Sequence, residues 1–178
     1  MTMATTRTCG TCTMCCKVFK VPALDKPAGT WCTHCIPGNG CQVYADRPIL
    51  CRQFECLWLE ENDIPEIWKP ERSKMVLSTS PMTGFMHVQV DPGQPSAWQK
   101  QPYHSHLLAW SARLLAEKRH ILVLVNDDAT LILPKQALHL GHMREDENFL
   151  VKQRFGSQGI EYYVERFTTG PSVRPKME

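Results

Sequence analysis

No cysteine occurs after residue 56 of this 178-residue chain, although nine precede it. Long apolar runs are missing as well. Nothing approaches the roughly 18 residues of a membrane span, so a bilayer-crossing role has no support in the sequence. Neither sign of charge dominates. With 20 basic and 18 acidic residues there is no electrostatic reason to expect nucleic acid or an anionic membrane as partner. The chain also has no glycine-rich phosphate loop, no G-x-S-x-G elbow and no G-x-G-x-x-G fingerprint, which removes the commonest nucleotide-binding and hydrolase signatures. No methyl-donor site is visible, and there is no internal repeat or low-complexity tract. The opening Met-Thr-Met-Ala-Thr-Thr-Arg lacks the apolar core of a secretory signal, which predicts a cytoplasmic protein.

What is present is concentrated at the front. Cys9, Cys12, Cys15, Cys16, Cys32, Cys35, Cys41, Cys51 and Cys56 open with C-x2-C-x2-C-C, followed by a second C-x2-C at Cys32 and Cys35. Thiols two residues apart can turn toward one ion, as in zinc ribbons and iron–sulfur loops. In a reducing compartment a dense thiol cluster reads as a metal site rather than a disulfide framework, and an odd count leaves one thiol unpaired in any such framework. All nine are therefore candidate metal ligands.

Ligand arithmetic leaves several solutions open. Structural zinc takes four ligands, so two isolated four-thiolate sites would use eight cysteines and leave one. Three zinc ions on nine thiolates also close, with six terminal and three bridging sulfurs. A four-iron cluster on four cysteines with a zinc site on four more is a third arrangement. Cys15 and Cys16 are adjacent and their side chains diverge, which favours more than one ion. The cofactor expected is therefore zinc, two or three ions, or an iron–sulfur cluster. Nine thiolates with three divalent ions carry three net negative charges. Residues 1–58 offer six basic side chains (Arg7, Lys17, Lys20, Lys26, Arg47, Arg52) against Asp25, Asp46 and Glu55, an excess of three that can compensate such a cluster. A solvated basic surface explains the same excess. His34, between Cys32 and Cys35, is either an extra ligand or a donor to a sulfur.

The block C-G-T-C-T-M-C-C-K, followed by G-C-Q-V-Y-A-D-R-P-I-L-C-R-Q-F-E-C, resembles the CxxCxxCC cysteine-cluster proteins, the YkgJ-like family of zinc- or iron-chelating proteins related to flagellin lysine methylase. The resemblance covers about residues 9–58. It implies ligand roles for Cys9, Cys12, Cys15, Cys16, Cys41, Cys51 and Cys56, with Cys32 and Cys35 extending the pattern. Arg47 and Arg52 fall in the matched part and suit hydrogen bonds to sulfur or an anionic substrate, or simple surface pairing.

The fold class expected is α+β: an irregular cysteine-rich metal-binding region over 1–60, then a mainly antiparallel sheet with one or two packed helices over 61–178, packed together as one compact unit. A strand is expected at Val18–Val21 and a turn at Pro37-Gly38-Asn39-Gly40. One helix is expected from Asp46-Arg47-Pro48 through the stripe Leu50, Phe54, Leu57 and Trp58, and a connector over 62–70. Hairpins are expected at 74–80 with 85–91, at 121–125 with 130–133 and at 149–155 with 160–167, although 144–155 also suits a helix. The clearest helix covers 105–119. The first eight and last eight residues read as loose ends. His104, His106, His139 and His142 lack carboxylate companions in sequence and read as surface or hydrogen-bonded residues, and Asp127-Asp128 as turn residues.

Three functions fit. The leading one is a metal-binding protein with a polynuclear zinc or iron–sulfur site in a structural or metal-handling role. The alternatives are a cluster-dependent enzyme of redox or methyl-transfer type, and a zinc-stabilised module that binds a protein through a sheet edge.

Overall fold

The computed structural model describes residues 7–144, 147–157 and 159–168; of the loose ends expected at residues 1–8 and 171–178, residues 1–6 and 171–178 lie outside the described residues. The architecture is α+β. A five-stranded sheet has the order β3-β4-β5-β6-β7, with β3 Met75–Thr79, β4 Met86–Val90, β5 Ile121–Val125, β6 Asp128–Leu133 and β7 Gln136–His142. All neighbours are antiparallel except β4 and β5, which run parallel. A parallel step needs a crossover, and the 14-residue helix α5, Tyr103–Ala116, supplies it.

Alternation within the strands sorts the core into two layers. Ile121, Val123 and Ile132 belong to a cluster with Leu107 and Leu114 of α5 and the fully buried Trp68. Leu122, Leu131 and Leu133 point the other way and meet Phe149, with Val151, Tyr162 and Val164 packed alongside. Those last residues come from a separate two-stranded ribbon, β8 Glu147–Gly156 and β9 Gly159–Thr168. The sheet thus has a helix on one face and the root of the ribbon on the other. The ribbon's far end carries Phe155, which is 90 % exposed.

The hairpins fall where alternation and turn residues place them, and 147–155 belongs to strand β8 rather than to a helix. β7 was not anticipated. Its Gln136–His142 segment mixes polar and glycine residues, and it earns its place as the edge partner of β6. The turn between β5 and β6 is Asn126-Asp127, with Asn126 in the left-handed region at φ 57°. Helix α5 ends in a Schellman arrangement. Arg119 N–H donates to the Leu114 carbonyl at 2.9 Å, Lys118 N–H to that of Leu115 at 3.0 Å, and Lys118 holds φ 58°.

Two expectations for the front third are corrected. The single helix from residue 46 is two short ones, α2 Ile49–Gln53 and α3 Leu57–Glu60, broken by extended backbone at Phe54 and Cys56. The apolar stripe is real only in part: Leu57 and Trp58 are buried, but Leu50 is exposed. The strand expected at Val18–Val21 is instead the end of a short helix, α1 Cys15–Val18, followed by an isolated bridge between Val21 and Lys26. The connector over 62–70 contains a 3-10 turn at Glu66–Trp68 that seats Trp68. Helix α4, Pro70–Ser73, then leads into β3.

Three contacts tie the front third to the sheet. Lys17 and Asp91 form an ion pair at 2.6 Å with both side chains largely buried. Met14, Val18, Leu57 and Trp58 enter the same apolar cluster as β3 and α5. Gly29, at φ 74°, lies against the β5–β6 turn so closely that a Cβ there would stand 2.1 Å from Asn126 Oδ1 and 2.9 Å from Pro92 Cγ.

Candidate metal centre

Every cysteine is free, and only Cys56 is fully buried. Cys15 and Cys16 sit on α1. The Cys32 N–H donates to the Cys16 carbonyl at 3.1 Å, which draws the 30s loop onto that helix. Cys35 and Cys41 are register partners of a miniature ladder, β1 Cys35–Ile36 and β2 Gly40–Cys41, closed by the expected turn. The Gly38 N–H donates to the buried Thr13 hydroxyl at 3.0 Å, pinning the turn beside α1. Cys51 rides on α2 and feels both Cys16 and Cys32.

The electrostatics follow from this crowding. Cys16 is pushed far up, first by its hydrogen bond with Cys15, then by burial. Burial and the neighbouring Cys16 push Cys35 up to about 12. Cys51 is raised by burial and by Cys16 and Cys32, while Arg47 opposes the rise. Without a cation these thiols hold their protons. A soft divalent ion replaces those protons, which is the usual coupling of thiolate ligation to proton release.

Lys26 lies in the middle of this set and was the residue sequence reasoning undervalued. It is buried, and its ammonium donates to the carbonyls of Lys17 at 3.1 Å, Pro27 at 3.0 Å and Phe19. Burial pulls its pKa down, while Cys32, Cys16, Cys51 and Cys15 pull it up. The sequence signal was available only as one member of a local basic excess. Of that excess, Lys26 and Arg47 act on the thiols. Arg47 also stacks on Tyr44, its guanidinium carbon 3.5 Å from the ring centre. Lys17 is spent on Asp91, and Arg7 has a different task.

Arg7 donates to the carbonyls of Trp58, Glu61, Asn62 and Ile64 at 2.7–3.3 Å, and its guanidinium covers the Trp58 ring. That hold carries Cys9, two residues on, toward Cys56, two residues before Trp58. The Thr11 hydroxyl donates to Glu71 at 3.2 Å, and Glu71 pairs with Lys69 at 2.7 Å. Cys12 therefore comes to α4, and it packs on the cluster that contains Cys56. Burial raises Cys12, opposed by the backbone N–H groups of Met14 and Glu71; Glu71 and Cys9 add to the rise. Burial likewise raises Cys56, opposed by the N–H groups of Leu59 and Trp58, with Cys9 and Cys12 as its charged neighbours.

No family model, curated protein or solved structure matches the chain. The reading of the site therefore rests on its own residues.

The nine sequence-derived candidates fall into two neighbourhoods, Cys15, Cys16, Cys32, Cys35, Cys41 and Cys51 in one and Cys9, Cys12 and Cys56 in the other. Among the described residues, no three His, Cys, Asp or Glu side chains meet at ion-binding distance. The donors fit a soft cation in kind, and ligation requires the half-buried thiols to turn onto it. His34 is tied through its backbone, where its carbonyl accepts the Gln42 N–H at 2.8 Å.

The distal histidines differ from expectation in one respect, because they do have carboxylate companions. His142 Nδ1 is 3.1 Å from Asp127, and His139 Nε2 is 3.6 Å from Asp128, across the β6–β7 edge. Sequence separation hid these pairs, which only the β6–β7 pairing brings together. His106 Nδ1 accepts the Trp68 indole N–H at 2.9 Å, a packing role. Among the described residues, no helix is long and apolar enough to cross a membrane.

Proposed function

We propose that this is a cytoplasmic metal-binding protein whose N-terminal thiolates hold a polynuclear zinc or iron–sulfur site, in a structural or metal-handling role. The observation that carries the reading is the clustering of Cys15, Cys16, Cys32 and Cys51 about one buried lysine, with Cys35 beside Cys16 and Cys41 beside Cys51. Cys16, Cys35 and Cys51 have raised pKa values and crowd each other at a cost that a soft cation removes. Lys26 supplies a positive charge where the loaded site has an anionic excess. The resemblance of residues 9–58 to the CxxCxxCC proteins points the same way.

The chain's own residues would divide the work. The thiols of α1, the β1–β2 ladder and α2 would provide the ligands, and Lys26 and Arg47 would offset their charge. Thr13 would keep the β1–β2 turn beside α1. The metal, when bound, supplies cross-links that a loop-rich segment with few apolar anchors lacks.

The test is purification without oxygen, followed by the visible spectrum and by metal and acid-labile sulfide content. Colourless protein with zinc supports a zinc site, and brown protein with iron and sulfide supports the cluster. Protein that binds neither metal after anaerobic reconstitution refutes the proposal. Zinc removed by a weak chelator without unfolding assigns a metal-handling role. Unfolding on removal assigns a structural one.

A further inference from the structure

We propose that a second copy of this chain docks on the β8–β9 ribbon. In the resulting two-fold dimer the tip of each ribbon, Phe155 and Ile160, seats in a cleft between β7 and β9 of the other copy. The surface includes none of the thiols, and the proposal is independent of what they bind.

One face of the ribbon is a continuous apolar stripe. Side chains alternate along a strand, so Phe149, Val151 and Phe155 share a face of β8. The register, with Val151 opposite Val164 and Phe155 opposite Ile160, puts Ile160, Tyr162 and Val164 on the same face. The root half of this stripe, Phe149, Val151, Tyr162 and Val164, packs on the five-stranded sheet. The outer half overhangs it, with Phe155 90 % and Ile160 50 % exposed. A two-stranded ribbon is marginal in water unless one face is covered, and the chain's own sheet covers only the root. The same molecule carries a receptor for the overhanging half. Gln136 Nε2 donates to the Tyr162 carbonyl at 3.0 Å, and Arg166 donates to the carbonyls of Leu140 and His142 at 2.8 and 2.7 Å. These bridges join β7 to β9. Along the stretch they bracket lies a cleft of about 330 Å³, with Leu138, Leu140, Tyr163 and Val164 in its walls. An apolar cavity of about 150 Å³ accepts benzene, so the cleft has room for the Phe155 ring with Ile160 at its mouth.

Geometry, charge and area select a second copy as the occupant. Tip and cleft lie on one ribbon, with Ile160 and Val164 separated by roughly 13 Å along the strand. Two ribbons laid side by side in opposite directions bring each tip to the other's root in one movement. Both tips and both clefts are then used, and the assembly closes as a dimer. The ribbon's cations are already neutralised: Lys152 pairs with Glu165, Arg154 with Glu161 and Arg166 with Glu147, at 2.5–3.0 Å. Two copies therefore meet without like-charge repulsion, whereas nucleic acid or an anionic membrane finds no cationic patch to hold it. Seating both tips removes on the order of 1,000 Å² from water, counting tip and wall on each copy, which is the lower bound for a specific interface. An interface of that size fits a reversible dimer with a dissociation constant in the micromolar range.

The experiment is sedimentation equilibrium of the full chain over about 5–500 µM, with far-UV circular dichroism as the check on fold. It compares the wild type with a tip variant, Phe155→Ser/Ile160→Ser, and a cleft variant, Tyr163→Ala; Leu138→Asn replaces the latter if its dichroism spectrum changes. The expected result is a monomer–dimer equilibrium in the wild type and association at least about tenfold weaker in each variant. An equimolar mixture of the two variants should recover part of the association, because the mixed dimer keeps one intact tip in one intact cleft. A wild type that stays monomeric over the whole range overturns the proposal, whether the tip is then covered by residues 169–178 or by an unrelated protein. A dimer unaffected in the tip variant overturns it as well. Loss of the dimer in the tip variant alone, with no gain on mixing, assigns a tip-to-tip contact and overturns the seating in the cleft. Growth beyond the dimer overturns the two-fold closure.

Discussion

Replacing Lys26 with methionine tests whether the front third is organised around a buried cation. The side chain keeps its length and loses its charge, so packing is nearly conserved while three carbonyls lose their donor. Each carbonyl left without a partner costs about 1–3 kcal/mol if it stays dry. Against that, the variant no longer has to desolvate an ammonium, a relief of several kcal/mol. Three such carbonyls together cost roughly 3–9 kcal/mol, which exceeds that relief by a small margin. A net loss of about 2 kcal/mol is expected for metal-free Lys26→Met, read as a lower midpoint in urea at an unchanged slope. In the metal-loaded protein the variant also loses the charge that faces the ligating sulfurs. Metal affinity should therefore fall at least about tenfold, the equivalent of 1.4 kcal/mol. Competition against a chelator of known affinity measures this. An unchanged midpoint together with unchanged metal affinity would refute the idea that Lys26 organises the thiols.

The remaining expectations probe other joints of the molecule. Gly29→Ala forces a Cβ against Asn126 and Pro92 at positive φ, and should cost about 2 kcal/mol of stability; a neutral result in denaturant melts would show that the loop does not seat on the β5–β6 turn. Lys118→Gly relieves left-handed strain at the end of α5 and should stabilise by about 0.5–1 kcal/mol, seen as a higher melting temperature. Burial holds His87 and His120 below the ordinary histidine range, and among the described residues His120 Nδ1 has no hydrogen-bond partner. The unfolded chain takes up those protons first, so the stability contribution is fully present above about pH 6.5 and falls as pH drops through the unfolded value toward the folded ones. Urea midpoints at pH 7.5 and 5.5 measure it. Equal midpoints in the double variant His87→Gln/His120→Gln, with a shift retained in the wild type, would assign the effect to these two residues.

The sheet was readable because its strands combine alternation with turn chemistry, as in Ile121–Val125, Asn126-Asp127 and Asp128–Leu133. The long helix was readable from its apolar face. What escaped were elements defined by partners rather than by their own pattern. β7 pairs along β6 with few apolar residues to announce it. The 46–58 segment satisfied helical spacing, yet it breaks at Phe54–Cys56, where Phe54 turns to meet the Phe19 ring at 4.7 Å. At the candidate site, the residue types were legible and their grouping was not. Spacing put Cys9, Cys12 and Cys15 within reach of one ion, with Cys16 diverging from Cys15. The fold turns Cys12 toward Glu71 and Cys16 toward Cys35, because α1 begins between them and buries Met14 and Val18 on the core side. Lys26 was one lysine among several until three carbonyls converged on it. Arg7 looked like part of a loose end, and it holds four carbonyls more than fifty residues away.

That grip by Arg7 has a bearing on how the chain is born. Synthesis delivers the N-terminus first, and all nine thiols emerge before any strand of the large sheet exists. The six-thiol neighbourhood can gather once Cys51 has been made, since its contacts are internal. Cys9 must wait for Ile64, and Cys12 for Glu71, before anything holds them in position. Lys17 waits longer still, for Asp91. Arg7 and Thr11 thus tie one set of sulfurs to residues that are made later than the partners of the other set, within one polypeptide.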